Sequence, residues 1–156
     1  MDVFGLRLQE RRDSLIICDQ HERIGKWIES MDGGHWRAGA VCVGLEKNGE
    51  IVAGVMFDWF NGACIYVSIA AKHLTRHFLW FCCYYVFHQL NANVMLGLVA
   101  PDNQKSKKLC ERTGFRLVSA IPKAHPNGDQ LIYAMYKDDC KWLRNKHEQV
   151  KSTAAA

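Results

Sequence analysis

The chain has 156 residues, 49% of them apolar and 23% charged, with seven cysteines and a formal net charge of +4. That length fits one core, here expected as one domain over residues 1–151 with a tail over 152–156. The apolar fraction excludes a disordered chain, and the mild basic excess falls short of the concentrated basic face of a nucleic-acid binder. The longest apolar run, Phe78 to Phe87, is half the length a membrane-spanning helix needs, and the start of the chain lacks the apolar stretch of a secretory signal, so the expected location is the cytoplasm.

The cysteines sit mostly inside apolar runs with no C-x-x-C pair, which reads as reduced core residues. The final Ala154, Ala155 and Ala156 read as an artificial addition and are set aside.

In chain order, residues 1–18 are ambiguous: Leu15 to Cys18 suits either a short strand or the lead into a helix. Asp19 followed by Glu22 resembles a helix start, and Ile24, Trp27, Ile28 and Met31 recur on one helical face until Gly33-Gly34 stops it. Alternating apolar residues at 41–45 and 51–57 flank Asn48-Gly49. Asn61-Gly62 repeats that turn before Cys64 to Ile69, so residues 40–70 predict a three-stranded antiparallel meander.

Thr75 to Leu90 is apolar on nearly every face and predicts a buried helix. Val94 to Ala100 predicts a strand parallel to 64–69, joined to it by a right-handed crossover. Asn103 is a good N-cap for a helix that Gly114 ends. Phe115 to Ile121 and Gln130 to Tyr136 predict a closing strand pair, and the charged tail from Asp138 to Lys151 should dock through Trp142 and Leu143. The expected fold class is mixed α/β: a mostly antiparallel sheet with a central parallel βαβ unit and helices on both faces.

Ligands favour the carboxyl ends of parallel strands. Here that region joins Ile69 to Ala71, the turn at Lys72 to Thr75, and Pro101 to Asn103. A helix N-terminus offers partial positive charge and N–H groups to an anion, and Lys72, His73, Arg76 and His77 cluster beside it. A solvated basic turn explains the same cluster.

The stretch Asn103-x-x-Ser106-x-x-Leu109-x-Glu111-x-x-Gly114-Phe115 resembles the N-x-x-S/A-x-x-L-x-E-x-x-G-F helix of the GNAT acetyltransferase superfamily. Ile121 to Met135 looks like the closing hairpin of its ribosomal-protein-alanine acetyltransferase-like branch. Leu74-Thr75-Arg76-x-Phe78-Leu79-Trp80 is similar to short phage-encoded members. The resemblance covers roughly residues 40–137. It implies an N-acetyltransferase that moves an acetyl group directly from acetyl-CoA, as co-substrate, to a primary amine in a ternary complex. That amine belongs to a small molecule, a protein N-terminus or a lysine.

By position, the resemblance implies that Asn103 and Ser106 face the pantetheine arm, that the backbone at Val67 and Ile69 pairs with its amides, and that Lys72, Thr75, Arg76 and His77 surround the pyrophosphate. The family's pyrophosphate loop, Q/R-x-x-G-x-G/A, is replaced here by Ala71-Lys72-His73-Leu74-Thr75-Arg76, which has no glycine. The family's common Tyr acid, one position after the helix Leu, is replaced by Cys110. A thiolate leaves readily without an acid, because its conjugate acid has a pKa of about 8.5.

The amine must be neutral to attack, so a base or a water chain must take its proton. Asp58, Tyr66 and Ser68 on the meander are candidates, each with an ordinary structural reading beside it. His125 and Asp129 in the late loop are further candidates for the acceptor pocket. Trp59 or Phe60, if exposed, would mark a homodimer face. His73 and His77 are four apart, with no carboxylate or cysteine at matching spacing, so no metal is expected. Two other readings stay open: a degenerate GNAT-fold binding or structural module that does not take acetyl-CoA, and nucleic-acid association through Lys105, Lys107, Lys108 and Arg112. Acetyl transfer needs an open slot between the parallel strands, and Leu74 turned inward would close it.

Overall fold

The computed structural model describes residues 7–11 and 13–144. The expectations for the termini, including the far end of the charged tail and the terminal alanines, lie outside the described residues.

The chain opens with β1 (Arg7–Arg11) and β2 (Ser14–Ile17), an antiparallel hairpin, so the ambiguous stretch resolves as strand. Helix α1 (His21–Ser30) follows. Its cap is Gln20, which makes no side-chain capping bond, rather than Asp19; Glu22 pairs instead with Lys26 one turn on, at 2.7 Å. The meander is present as β3 (Val41–Lys47), β4 (Glu50–Asp58) and β5 (Cys64–Ala71). Helix α2 (Arg76–Tyr84) is capped by Thr75, whose hydroxyl oxygen accepts from the Phe78 N–H at 3.1 Å.

The predicted helix over 75–90 does not stay α-helical. From Tyr85 to Gln89 it widens into a π turn, and the Leu90 N–H donates to the Tyr85 carbonyl. The consecutive residues Tyr85, Val86 and Phe87 are all buried in that turn. Strand β6 (Val94–Val99) and helix α3 (Gln104–Thr113) come next. Asn103 caps α3 by accepting from the Ser106 N–H at 3.0 Å, and Gly114 ends it in the left-handed conformation at φ 100°. The closing pair, β7 (Arg116–His125) and β8 (Gly128–Tyr136), is longer than its apolar pattern predicts because β7 is an exposed edge strand.

The described strands form one eight-stranded sheet in the order β1-β2-β3-β4-β5-β6-β8-β7. Only the central pair β5–β6 is parallel. Odd-numbered residues of β5 and β6 (Ile65, Val67, Met95, Val99) join Phe57, Phe78, Phe81 and Phe87 in the main core beneath α2. The other face packs α1 through Ile24 and Ile28 onto Cys42, Met56 and Ala70. The start of the tail docks as expected: the Trp142 indole N–H donates to the Thr113 carbonyl at 2.8 Å, and Trp142 and Leu143 pack on the main core. No helix among the described residues is long and apolar enough to cross a membrane.

Helix α1 sits close to the sheet because Gly44 and Gly54 face each other across β3 and β4 beneath it. A Cβ on Gly54 would stand 2.9 Å from Ile28 Cγ1 and 3.2 Å from Ile24 Cγ2, both on fully buried side chains. Gly54→Ala should therefore cost about 1–3 kcal/mol by overpacking. Thermal unfolding should fall by roughly 3–10 °C, and an unchanged midpoint would contradict this packing.

Candidate functional site: a slot between diverging strands

Strands β5 and β6 pair only from Cys64–Val94 to Tyr66–Leu96. Beyond that point each continues alone, β5 to Ala71 and β6 to Val99, and a slot opens between them. The Val67 carbonyl lies 3.9 Å from where a Cβ on Gly97 would stand, so it faces this gap. Backbone N–H and C=O of one residue in a strand point the same way and reverse at the next. Val67 and Ile69 therefore both present donor and acceptor to the slot, where β6 no longer answers them.

The slot has a volume of about 40 Å³ between the strands and helix α3, with Ser68, Ser106, Cys110 and Phe115 among its walls. It runs into a groove of about 580 Å³ outside the carboxyl ends of both strands. Ile69, Ser106, Leu109 and Gly33 belong to both spaces. The groove's other walls include Ala70, Ala71, Asp102, Asn103, Lys105 and Asn127. Leu74 packs against the main core instead of the slot, so the feared plug is absent from its walls.

Of the residues singled out by sequence, Val67, Ile69, Ser68, Cys110, Asn103 and Ser106 come together here. The basic turn does not line either space. The Lys72 and His73 N–H groups both donate to the Val52 carbonyl, at 2.8 and 3.1 Å, which bends the turn toward β4. Thr75 spends its hydroxyl oxygen on the α2 cap, Arg76 is exposed, and His77 stacks on Trp80 with ring centroids 5.6 Å apart.

Asp58 and Tyr66 are cross-strand neighbours on β4 and β5, beside the last paired step of the parallel strands rather than in the slot walls. The Asp58 carboxylate accepts from Arg37 Nε at 2.5 Å and from the Trp59 N–H at 2.9 Å, which ties the α1–β3 connection to the sheet. His125 Nδ1 accepts from the Asn127 N–H and Asp129 from the Lys123 N–H, so both organise their own hairpin. Burial, helped by the Glu111 carboxylate, pushes the Cys110 thiol up to about 11.

Sequence reasoning missed one wall and misassigned the residue of another. Gly33 and Gly34 read only as a helix stop, yet they lay the α1–β3 connection directly on β5. A Cβ on Gly34, whose φ is 133°, would stand 2.8 Å from Ser68 Oγ, and one on Gly33 would stand 2.9 Å from Ala70 Cβ. The misassigned wall is the β7–β8 turn, where Asn127, not His125 or Asp129, reaches the groove and its Nδ2 donates to Asp102 at 2.9 Å. The signal for the first was a glycine pair where one would end a helix. For the second, the sequence singles out the late loop through His125 and Asp129, but the residue in the groove wall is Asn127 between them.

No family model matches the chain, and no curated protein does. Solved structures do. A GNAT-family acetyltransferase from Bacillus anthracis is 16% identical, with 85% of this chain and 99% of that one covered and a TM-score of 0.58. A ribosomal-protein-S5-alanine acetyltransferase from Vibrio fischeri is 12% identical over 88% and 100% of the two chains, at 0.62. The spermidine/spermine N-acetyltransferase SpeG from Vibrio cholerae is 14% identical over 85% and 96%, at 0.63. The diverging parallel strands, the capped helix beside them and these superpositions together identify the fold as that of the GNAT acetyltransferases.

Proposed function

We propose that the protein is an N-acetyltransferase that takes its acetyl group from acetyl-CoA and passes it directly to a primary amine. One observation carries this reading: the backbone of Val67 and Ile69 faces a gap that opens into a groove large enough for a diphosphate-bearing chain. An extended arm carrying amides can pair with that strand edge as an added strand would. Ser106 stands where slot and groove meet, lining both, and Asn103 lines the groove beside it. Acetyl-CoA would supply an activated acyl group on a thiolate leaving group.

The chain's own contribution is positioning and charge stabilisation. Backbone N–H groups facing the slot from β5 can stabilise the negative charge that develops on the thioester oxygen. Cys110 is a poor acid for the departing thiolate: with its thiol at about 11, proton transfer to a thiolate whose conjugate acid lies near 8.5 runs uphill by roughly 2 units. The thiolate is then protonated from solvent. Of the basic side chains, Lys105 lines the groove and is the one placed to meet the pyrophosphate, since two amides of the basic turn are committed to Val52 and its side chains lie outside the groove walls. That commitment is also the observation favouring the second reading, a binding module that does not take acetyl-CoA.

The two separate in a thermal-shift titration with acetyl-CoA. At a hundredfold excess over Kd the transferase should gain about 2.7 kcal/mol. No shift at millimolar acetyl-CoA would leave only the binding module. Acetyl transfer to an amine, followed by release of free thiol, then tests the reaction itself.

A further inference from the structure

Cross-strand register places Leu96 and Leu98 of β6 beside Ala134 and Ile132 of β8, and Val94 beside Tyr136. Leu96 is also in register with Tyr66 of β5. These side chains share the face on which α1 packs, but α1 lies over β3, β4 and β5. The strip over β6 and β8 is open at its two ends, where Leu98 is 54% exposed and Tyr136 47%; Leu96 and Ile132 between them are half-buried, and Ala134 is buried. Exposed apolar side chains gain significance where they adjoin a candidate site. The strip is continuous with the proposed site, because Leu98 also lines the slot.

Two carboxylates beside the strip are already paired. Asp58 is held by Arg37 at 2.5 Å, and Asp139 by Arg116 at 2.8 Å. A second ammonium seated on the strip itself would meet apolar side chains and lose water without compensation, while the Asp32 and Asp102 carboxylates line the groove assigned to the coenzyme.

We infer that the acetyl acceptor is a primary amine on an apolar, otherwise uncharged body, seated on the strip of Leu96, Leu98, Ile132 and Tyr136. This rests on the transferase reading above. The amine nitrogen forms a bond to the acetyl carbon, the carbon–sulfur bond breaks with its electron pair on sulfur, the amine gives up one proton to solvent, and the thiolate gains one. The amide and the free thiol are the products.

The test compares phenethylamine and hexylamine with spermidine at saturating acetyl-CoA, with acetyl-CoA binding followed by thermal shift in the same samples. The apolar amines should show a kcat/KM at least tenfold above that of spermidine. Ile132→Asp and Tyr136→Asp should each raise the KM for phenethylamine about tenfold and leave the KM for acetyl-CoA unchanged; two variants are used so that one failing to fold does not decide the matter. Preference for spermidine, no transfer to the apolar amines despite an acetyl-CoA shift, or unchanged KM in the folded variants would overturn the acceptor assignment alone. A dimer by light scattering that Tyr136→Asp dissociates would also overturn it, by giving the strip to a second copy. Absence of any acetyl-CoA shift would overturn both the acceptor assignment and the transferase reading.

Discussion

Gly97→Val should weaken acetyl-CoA binding by a hundredfold or more, about 2.7 kcal/mol, while the protein stays folded. Gly97 is buried on β6 at the point where the two parallel strands part. A Cβ there meets nothing closer than the Val67 carbonyl at 3.9 Å, an ordinary contact, so the backbone tolerates a side chain. The space it enters, however, is the slot of about 40 Å³. Three added carbons occupy much of that volume and cover the Val67 backbone groups that an extended arm would pair with. Titration calorimetry should show the loss, and a thermal midpoint within a few degrees of the parent should show that the fold is intact. Wild-type affinity in a folded Gly97→Val protein would place the ligand elsewhere.

The second large effect is a loss of stability at alkaline pH. Burial, with the Asp58 charge, pushes the Cys42 thiol up to about 12, burial with the Glu111 charge pushes Cys110 up to about 11, and burial raises Cys82 further still. Each of these groups keeps its proton in the native state at a pH where the unfolded chain releases it. Their contribution is therefore fully present below the unfolded value near 9 and is lost as pH climbs through the native values. Each thiol contributes a slope of about 1.4 kcal/mol per pH unit in that window.

Between pH 9 and 10.5, Cys42 and Cys110 together should remove about 2–4 kcal/mol from the free energy of unfolding measured with denaturant. Cys42→Ala should flatten the slope by one proton's worth. A slope unchanged by that substitution would show that the thiol is not held neutral by burial.

Much of this architecture was legible in the sequence, because its signals are local. Alternation with Asn-Gly turns marked the meander, Asn103 and Gly114 marked both ends of α3, and an all-apolar helix announced burial on several sides. The hairpin β1–β2 was not legible. Leu15 to Cys18 is too short to show a period, and its partner strand carries Arg and Gln, so only pairing with β3 decides it. The α1 cap was misread because Asp19 and Glu22 satisfy a pattern that Gln20 displaced by starting the helix one residue later.

The site was half legible. Val67, Ile69, Asn103 and Ser106 follow from the parallel pair and the helix motif. The basic turn satisfied the charge expected of an anion site, but charge carries no information about where backbone amides point. The Val52 carbonyl takes two of them. Likewise, the wall built by Gly33 and Gly34 depends on a long-range approach to Ser68 and Ala70 that no spacing rule encodes.

Amide hydrogen exchange with and without acetyl-CoA tests the central claim most directly. Binding in the slot should slow exchange at Val67 and Ile69, whose N–H groups face the gap, and at the start of α3 around Ser106, with little change in β1 to β3. Protection that spares Val67 and Ile69 while acetyl-CoA is bound would contradict the account.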